Sequence, residues 1–269
     1  LLGRWFARTG RRGDVFLATK GGGMVWDQQG VWTDPTTPDW DVARTRFEGA
    51  GAETLRKGID DSLRRLQTDH VDLYYVHVDD MATPLEETLE ALAGIVAAGK
   101  ARFIGWSNVR TWRLERIRQL CVRNGWPAPV AVQQQHSYLR RRAGVDSVSI
   151  VDSEQLDYLR AHDDLTLVAY SPILKGIYDD PAKREGHWAM DAYRGPDAEA
   201  RLSVLREVAN EVGASPNQVV LAWLLRPTQG GSLVPLVGPR TKAQYDAAMA
   251  ALEVQLSDEQ VARLEAAGA

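Results

Sequence analysis

The sequence predicts an α/β fold, and three observations carry that expectation. Short β-rich runs alternate with amphipathic helical stretches along all 269 residues. The runs are apolar nearly throughout rather than alternating, as in strands covered on both faces of a parallel sheet. From residue 71 they begin about every 30 residues, the length of one βα unit. With no linker and no shift in composition, residues 1–269 read as a single domain, a size that barrels reach without dividing.

The chain opens at Leu1 on what reads as the last turns of a helix, an opening expected of a chain that lacks an upstream piece. Residues 15–19 form the first predicted strand. Strands at 71–76, 102–106, 130–133, 165–169 and 233–237 follow. Pro84 opens a helix over 85–98 that carries Glu86 and Glu87 near its start and ends at Gly99-Lys100, in keeping with proline at the first helical position and glycine after the last. A helical segment spans 198–212, and Ser215-Pro216 opens another over 217–226, which Pro227 stops. Ser257 and Gln260 have the spacing of a capping box ahead of Val261 and Leu264. Residues 21–49 are too polar and proline-rich for an element and read as a long loop.

Two architectures fit this order, an open doubly wound sheet and a closed β/α barrel. An open dinucleotide-binding sheet is expected to show G-x-G-x-x-G after its first strand. Lys20-Gly21-Gly22-Gly23 stands there without that spacing. A barrel needs eight strands, and six are counted.

Composition narrows the function classes. A net charge of −4 argues against a nucleic-acid partner, which requires a concentrated basic face. The run Arg140-Arg141-Arg142 reads as a solvated loop. The single cysteine, Cys121, sits at helical spacing with Leu114, Ile117 and Leu120 and reads as core. No apolar run approaches a membrane span and no signal peptide is visible, so a reduced, cytoplasmic setting is expected. No metal site is assigned.

The polar residues follow a positional pattern. Lys20 ends the first strand and His77 the second; Ser107-Asn108 follow the third and Gln133 ends the fourth. Tyr170-Ser171 follow the fifth strand and Gly238-Pro239-Arg240 the sixth. In a β/α barrel these ends gather at one mouth, where active sites form. Tyr75, two residues before His77, shares its strand face and is expected to pack inside. Asp80 reads as structural.

Four blocks then carry a family resemblance. Residues 63–80, with Asp69, Val71-Asp72-Leu73-Tyr74, His77 and Asp80, match the form S-L-x-R-L-x-x-D-x-V-D-L-Y-x-x-H-x-x-D. The others are Gly99 to Asn108, Val168 to Pro172, and Pro235 to Thr241. Together they resemble the aldo-keto reductases over essentially the whole chain. The resemblance implies a (β/α)8 barrel, here with about six of its eight βα units, and an NADP(H)-dependent oxidoreductase acting on small carbonyl substrates. It implies that Lys20 lowers the pKa of a catalytic tyrosine and that His77 hydrogen-bonds the substrate carbonyl. It further implies that Ser107, Asn108 and Gln133 grip the nicotinamide carboxamide, for which hydroxyl and amide groups are suited, and that Tyr170 stacks on the ring. Ser171, Ile173 and Leu174 fall where the pyrophosphate lies. Gly238, Pro239, Arg240 and Thr241 fall where the 2′-phosphate binds, a helix N-terminus with a guanidinium beside it.

The chain also departs from the family pattern. The tyrosine and its aspartate partner lie on a strand upstream of Leu1, so the chain alone is expected to be inactive. Ala247-Ala248 replace the usual Glu-Asn, and Gln244, counted with the cofactor residues, stands where many NADP-preferring members have arginine. Trp26 and Trp32 of the long loop, together with Trp106, are expected to wall the substrate. The competing readings are a non-catalytic NADP-binding or regulatory subunit and, from a different chemistry, a barrel enzyme using Lys20 as a Schiff base. Oligomeric state is not legible.

Overall fold

The computed structural model describes residues 1–23, 31, 39–226 and 231–268. The chain divides into two compact units, Leu1–Val132 and Gln133–Ala269. In both, parallel strands are separated by helices, so the fold is α/β as the sequence predicts, with six strands among the described residues.

The first unit runs α1 (Leu2–Thr9), β1 (Ala18–Gly21), α2 (Trp40–Arg44), α3 (Ala52–Leu66), β2 (Val71–Val76), α4 (Leu85–Ala97), β3 (Ala101–Ser107) and α5 (Thr111–Asn124). It ends within β4 (Pro129–Gln135). β1, β2 and β3 pair in parallel and in chain order, with Lys20 opposite Tyr75 and Tyr75 opposite Gly105. β2 is buried along its full length and matches its predicted bounds.

β1 begins three residues later than the sequence suggests, and Asp72 is the reason. Its carboxylate takes the Leu17 N–H at 2.8 Å, where a ladder partner would otherwise stand, while the Leu17 carbonyl receives the N–H groups of Asp72 and Leu73. The same carboxylate pairs with Arg12 and Arg102, each at 2.9 Å. A charge near the start of a buried strand is tolerated only with such partners. Burial by itself would raise the Asp72 carboxyl, but the Leu17 N–H and the Arg12 guanidinium hold it below its ordinary range.

Two glycines make room for one phenol. Tyr74 points to the helix side and donates its hydroxyl to the Leu55 carbonyl at 3.0 Å. A Cβ on Gly21 would lie 1.9 Å from that hydroxyl oxygen, and one on Gly58 would lie 2.9 Å from it. On the opposite face the Tyr75 ring covers Gly105, whose Cβ would meet it at 2.6 Å.

Segment 21–49 is not wholly without an element. Asp39 accepts from the N–H groups of Asp41 and Val42 and starts the short helix α2, an N-cap that the polar composition masks. Pro84 is the N-cap of α4 rather than its first residue, and Gly99 follows with φ 71°. Cys121 is fully buried, and burial raises its thiol to about 11.

The second unit carries the end of β4 and then α6 (Ser153–Arg160), β5 (Thr166–Tyr170), α7 (Pro181–Gly186), α8 (Pro196–Val212), α9 (Pro216–Leu224), β6 (Ser232–Pro235), α10 (Lys242–Met249) and α11 (Asp258–Ala266). β5 and β6 are parallel, from Thr166 opposite Ser232 to Ala169 opposite Pro235. β6 is not covered on both faces as its apolar sequence suggests, for Val234 is 48% exposed. The core lies among α8, α9 and α11, with Leu205, Val208, Val220 and Leu264 at its centre. The capping boxes Ser215–Gln218 and Ser257–Gln260 are both formed. Arg201 is buried within this core, over the Tyr138 ring, and donates to the carbonyls of Tyr138 and Ala267. No described helix is long and apolar enough to cross a membrane.

Asp72→Ala leaves Arg12 without its carboxylate and strips the Leu17 N–H. It is expected to cost about 3 kcal/mol of unfolding free energy at neutral pH, read by urea denaturation. Because the folded carboxyl is depressed, this stabilisation is complete above its ordinary range and is lost as pH falls through the lowered value, so the variant and parent curves should converge in acid.

Candidate active site

Strand parity assembles the candidate residues of the first unit. Lys20, Tyr75 and Gly105 are level across β1, β2 and β3. Residues two apart on a strand share a face, so His77 and Ser107 stand on the same side as Lys20. The pairing runs on past the strands, with His77 N–H on the Gly21 carbonyl at 2.8 Å and Val78 N–H on that of Gly22 at 3.2 Å. Gly23 abuts the imidazole, where a Cβ would come within 2.6 Å of Nδ1.

Lys20 and His77 line a polar cavity of ≈ 340 Å³ together with Gly21 to Gly23 and α3 residues, Lys57 and Asp61 among them. Burial lowers the Lys20 ammonium from its ordinary value. Burial also lowers His77, and the Lys20 charge adds to it, bringing the imidazole to about 4. His77 is therefore neutral at physiological pH and can offer an N–H without carrying a charge.

The end of β3 is tied to the end of β2. Asn108, at φ 52°, donates its side-chain amide to the His77 carbonyl at 2.8 Å and to Ser107 Oγ at 3.0 Å. Ser107 is buried. Trp106 requires a correction. Being level with Val76, it lies on the face opposite Lys20, His77 and Ser107. Its ring is 1% exposed and its indole N–H is donated to Asp79 at 3.2 Å, so it packs on the helix side and has no surface to offer a substrate. Trp26 and Trp32 fall outside the described residues.

In the second unit Gln133 is buried in β4. Tyr170 closes β5; its phenol is raised by burial, against a hydrogen bond to Ser149. The loop after it is conformationally unusual: Ser171, Leu174 and Lys175 have φ of 51°, 44° and 63°. Ile173 and Leu174 pack toward the core. His136, whose backbone N–H reaches the Tyr170 carbonyl at 3.4 Å, is buried, and burial lowers its imidazole to about 4. Gly238, Pro239 and Arg240 are exposed ahead of α10. Thr241 caps that helix through the Gln244 N–H, and the Gln244 side chain accepts from the Arg240 N–H at 2.8 Å.

Sequence reasoning missed Gly23, Asp79 and Arg113. The signal for Arg113 was present, since it shares a helix face with the core residues Leu114 and Ile117, where a charge needs a buried partner. That partner is Asp79, at 2.9 Å.

The two lowered histidines set an acid limit. In the unfolded chain each protonates near 6.5, but in the fold only near 4. Their contribution to stability is full above about 6.5 and is lost as pH falls toward 4. Proton NMR of the ring resonances is expected to show His77 untitrated down to about pH 5. Gly23→Ala should shift those resonances by displacing the ring.

Comparison with known proteins identifies the family. A model of the Aldo/keto reductase family matches residues 1–269. The uncharacterized oxidoreductase YrpG of Bacillus subtilis (strain 168) is 31% identical over 265 residues, covering 96% of this chain and 74% of its own. Aldo-keto reductase yakc of Schizosaccharomyces pombe, whose name carries NADP(+), is 30% identical over 278 residues, covering 99% and 73%. Versiconal hemiacetal acetate reductase of Aspergillus parasiticus is 28% identical over 234 residues, covering 81% and 62%. The chain thus spans 62% to 74% of the length of these three relatives. Family, strand order and the expected barrel class agree: the chain belongs to the aldo/keto reductase family.

Proposed function

We propose that the chain is an oxidoreductase that moves hydride between NADP(H) and the carbonyl of an aldehyde or ketone, or oxidises the corresponding alcohol. The observation that carries this reading is the common face of Lys20, His77 and Ser107 at the C-terminal ends of three registered strands, the first two of which also line a polar cavity. Relatives named as oxidoreductases and as aldo-keto reductases support it.

The donor set fits a nicotinamide cofactor. Ser107 and Gln133 are buried groups that both donate and accept, as a carboxamide requires, and Asn108 adds a second amide. Tyr170 is assigned to the ring, and Ser171, Ile173 and Leu174 to the pyrophosphate. Gly238, Pro239, Arg240, Thr241 and Gln244 are assigned to the 2′-phosphate, where a guanidinium beside a capped helix start favours NADP(H) over NAD(H). When bound, the cofactor supplies the hydride from nicotinamide C4.

This chain's residues orient and polarise the carbonyl, while the proton that turns the resulting alkoxide into the alcohol is assigned by the resemblance to a tyrosine acid. Neutral His77 donates an N–H to the carbonyl oxygen and fixes its direction, and at about 4 it does not compete as a proton source. The Lys20 ammonium, half-buried on the same face, stabilises negative charge developing on that oxygen. In the resemblance it also lowers the pKa of a tyrosine acid. Among the described residues no tyrosine lines the cavity, and the Tyr74 hydroxyl is held by Leu55. Trp26 and Trp32 stand as substrate residues on sequence grounds. A cytoplasmic setting accords with the one, buried thiol.

NADPH is expected to bind, read by fluorescence titration, and to be oxidised with a panel of aldehydes and ketones when the protein carries the tyrosine acid that the resemblance pairs with Lys20. Lys20→Met and His77→Leu should each lower kcat/KM by about 10²-fold or more. Binding without turnover across the panel would move the assignment to a non-catalytic NADP-binding subunit. Turnover indifferent to both substitutions would remove the reading altogether.

A further inference from the structure

The ends of β2 and β3 are joined by more than their ladder. Beyond the Asn108 amide on the His77 carbonyl, the Asp79 N–H returns to the Asn108 carbonyl at 3.4 Å. Behind this exchange lies an ion pair that neither strand needs for its own hydrogen bonds. Arg113, on α5, donates Nε to the Asp79 carboxylate at 2.9 Å and Nη2 to the Asp80 carbonyl at 2.7 Å. Trp106 brings β3 to the same carboxylate through its indole N–H. The Asp79 and Arg113 side chains are only 7% and 10% exposed.

One planar guanidinium therefore grips the side chain of one residue and the backbone of the next, two and three positions beyond His77. A fork of this kind fixes direction as well as distance, which a lysine ammonium does not. Stability is a weak reason for such a pair, because a buried ion pair replaced by apolar side chains is often neutral or better. Geometry is the stronger one. Asp79 also sits in a site that raises its carboxyl through burial, against the pull of Arg113 and Trp106, so the charge is held there at a cost.

We infer that Asp79 and Arg113 are positioning residues, whose ion pair sets the strand ends that carry His77 and Asn108 and so couples carbonyl orientation to cofactor grip. The catalytic half of this inference rests on the function proposed above. The positional half does not, and the two can be tested apart.

The test uses the whole chain in three forms: Arg113→Lys, which keeps the charge and loses the fork; Asp79→Asn, which keeps the shape and loses the charge; and the paired Asp79→Leu/Arg113→Met, which leaves no orphan charge. NMR would follow the Asn108 side-chain amide protons and the His77 ring in each, beside the unfolding midpoint. In every variant that unfolds cooperatively, the Asn108 amide is expected to lose protection from exchange and the His77 ring signals to move. Where the parent turns over, kcat/KM should fall about 10- to 100-fold, with the carbonyl KM and the NADPH Kd rising together. If the paired variant folds and keeps the parent's Asn108 and His77 signals, the inference is overturned whether or not the parent is active. A parent that neither binds NADPH nor turns over would sink the proposed function while the NMR signals still decide the clamp. Should Arg113→Lys match the parent in every readout, only charge was needed and the fork has no positioning role.

Discussion

Lys20, Tyr75 and Gly105 stand level across three parallel strands, and side chains on a strand alternate between faces. That single register decides who can meet whom in the first unit. A slip of one residue on β2 would turn His77 toward the helices and bring Tyr74 to the face of Lys20. Several features guard against it. The Asp72 carboxylate occupies the Leu17 N–H at the start of β1, the Tyr75 ring fills the space above Gly105, and the Tyr74 phenol fills the space beside Gly21. Each fits in one alignment only. The polar chemistry at the strand ends thus depends on large aromatic rings and one buried carboxylate several residues away.

The electrostatics follow from the same arrangement. Half-burial weakens the ammonium of Lys20 and keeps the imidazole of His77 neutral, and each group is placed by backbone pairing rather than by a strong side-chain partner. The strong pairs lie elsewhere, at Asp72 and at Asp79, on residues that face away from the cavity or precede it. Placement is thereby separated from reactivity at Lys20 and His77, since the charges that hold the frame are paired with residues outside the candidate site.

Much of this was legible in the residues. The strand β2 was read to the residue because six successive positions are buried and the sequence offers no other period. The capping boxes at Ser215 and Ser257 were read from side-chain chemistry alone and are formed. Failures came where a tertiary partner overrode a local pattern. Residues 15–17 have strand propensity, yet Asp72 replaces their ladder. Trp40 to Arg44 have a loop's composition, yet Asp39 caps them into a helix. Trp106 looked available beside a candidate site, and only the register shows that it faces the other way. Arg113 was legible as a charge on a core-facing helix side, but its partner was not, since pairing between a strand end and a helix face 34 residues on leaves no spacing to recognise.

The close quarters around Tyr74 bear on how such a protein can change over generations. Gly21 tolerates no side chain while that phenol is in place, because a Cβ would lie 1.9 Å from its oxygen, and at Gly58, where the approach is 2.9 Å, the phenol would have to shift. The strand end beside Lys20 is thus frozen by its neighbours, whatever selection acts on ligand preference. Novelty at this cavity has to arrive from its rim, where exposed side chains of α3 such as Lys57 can be exchanged without disturbing the interior.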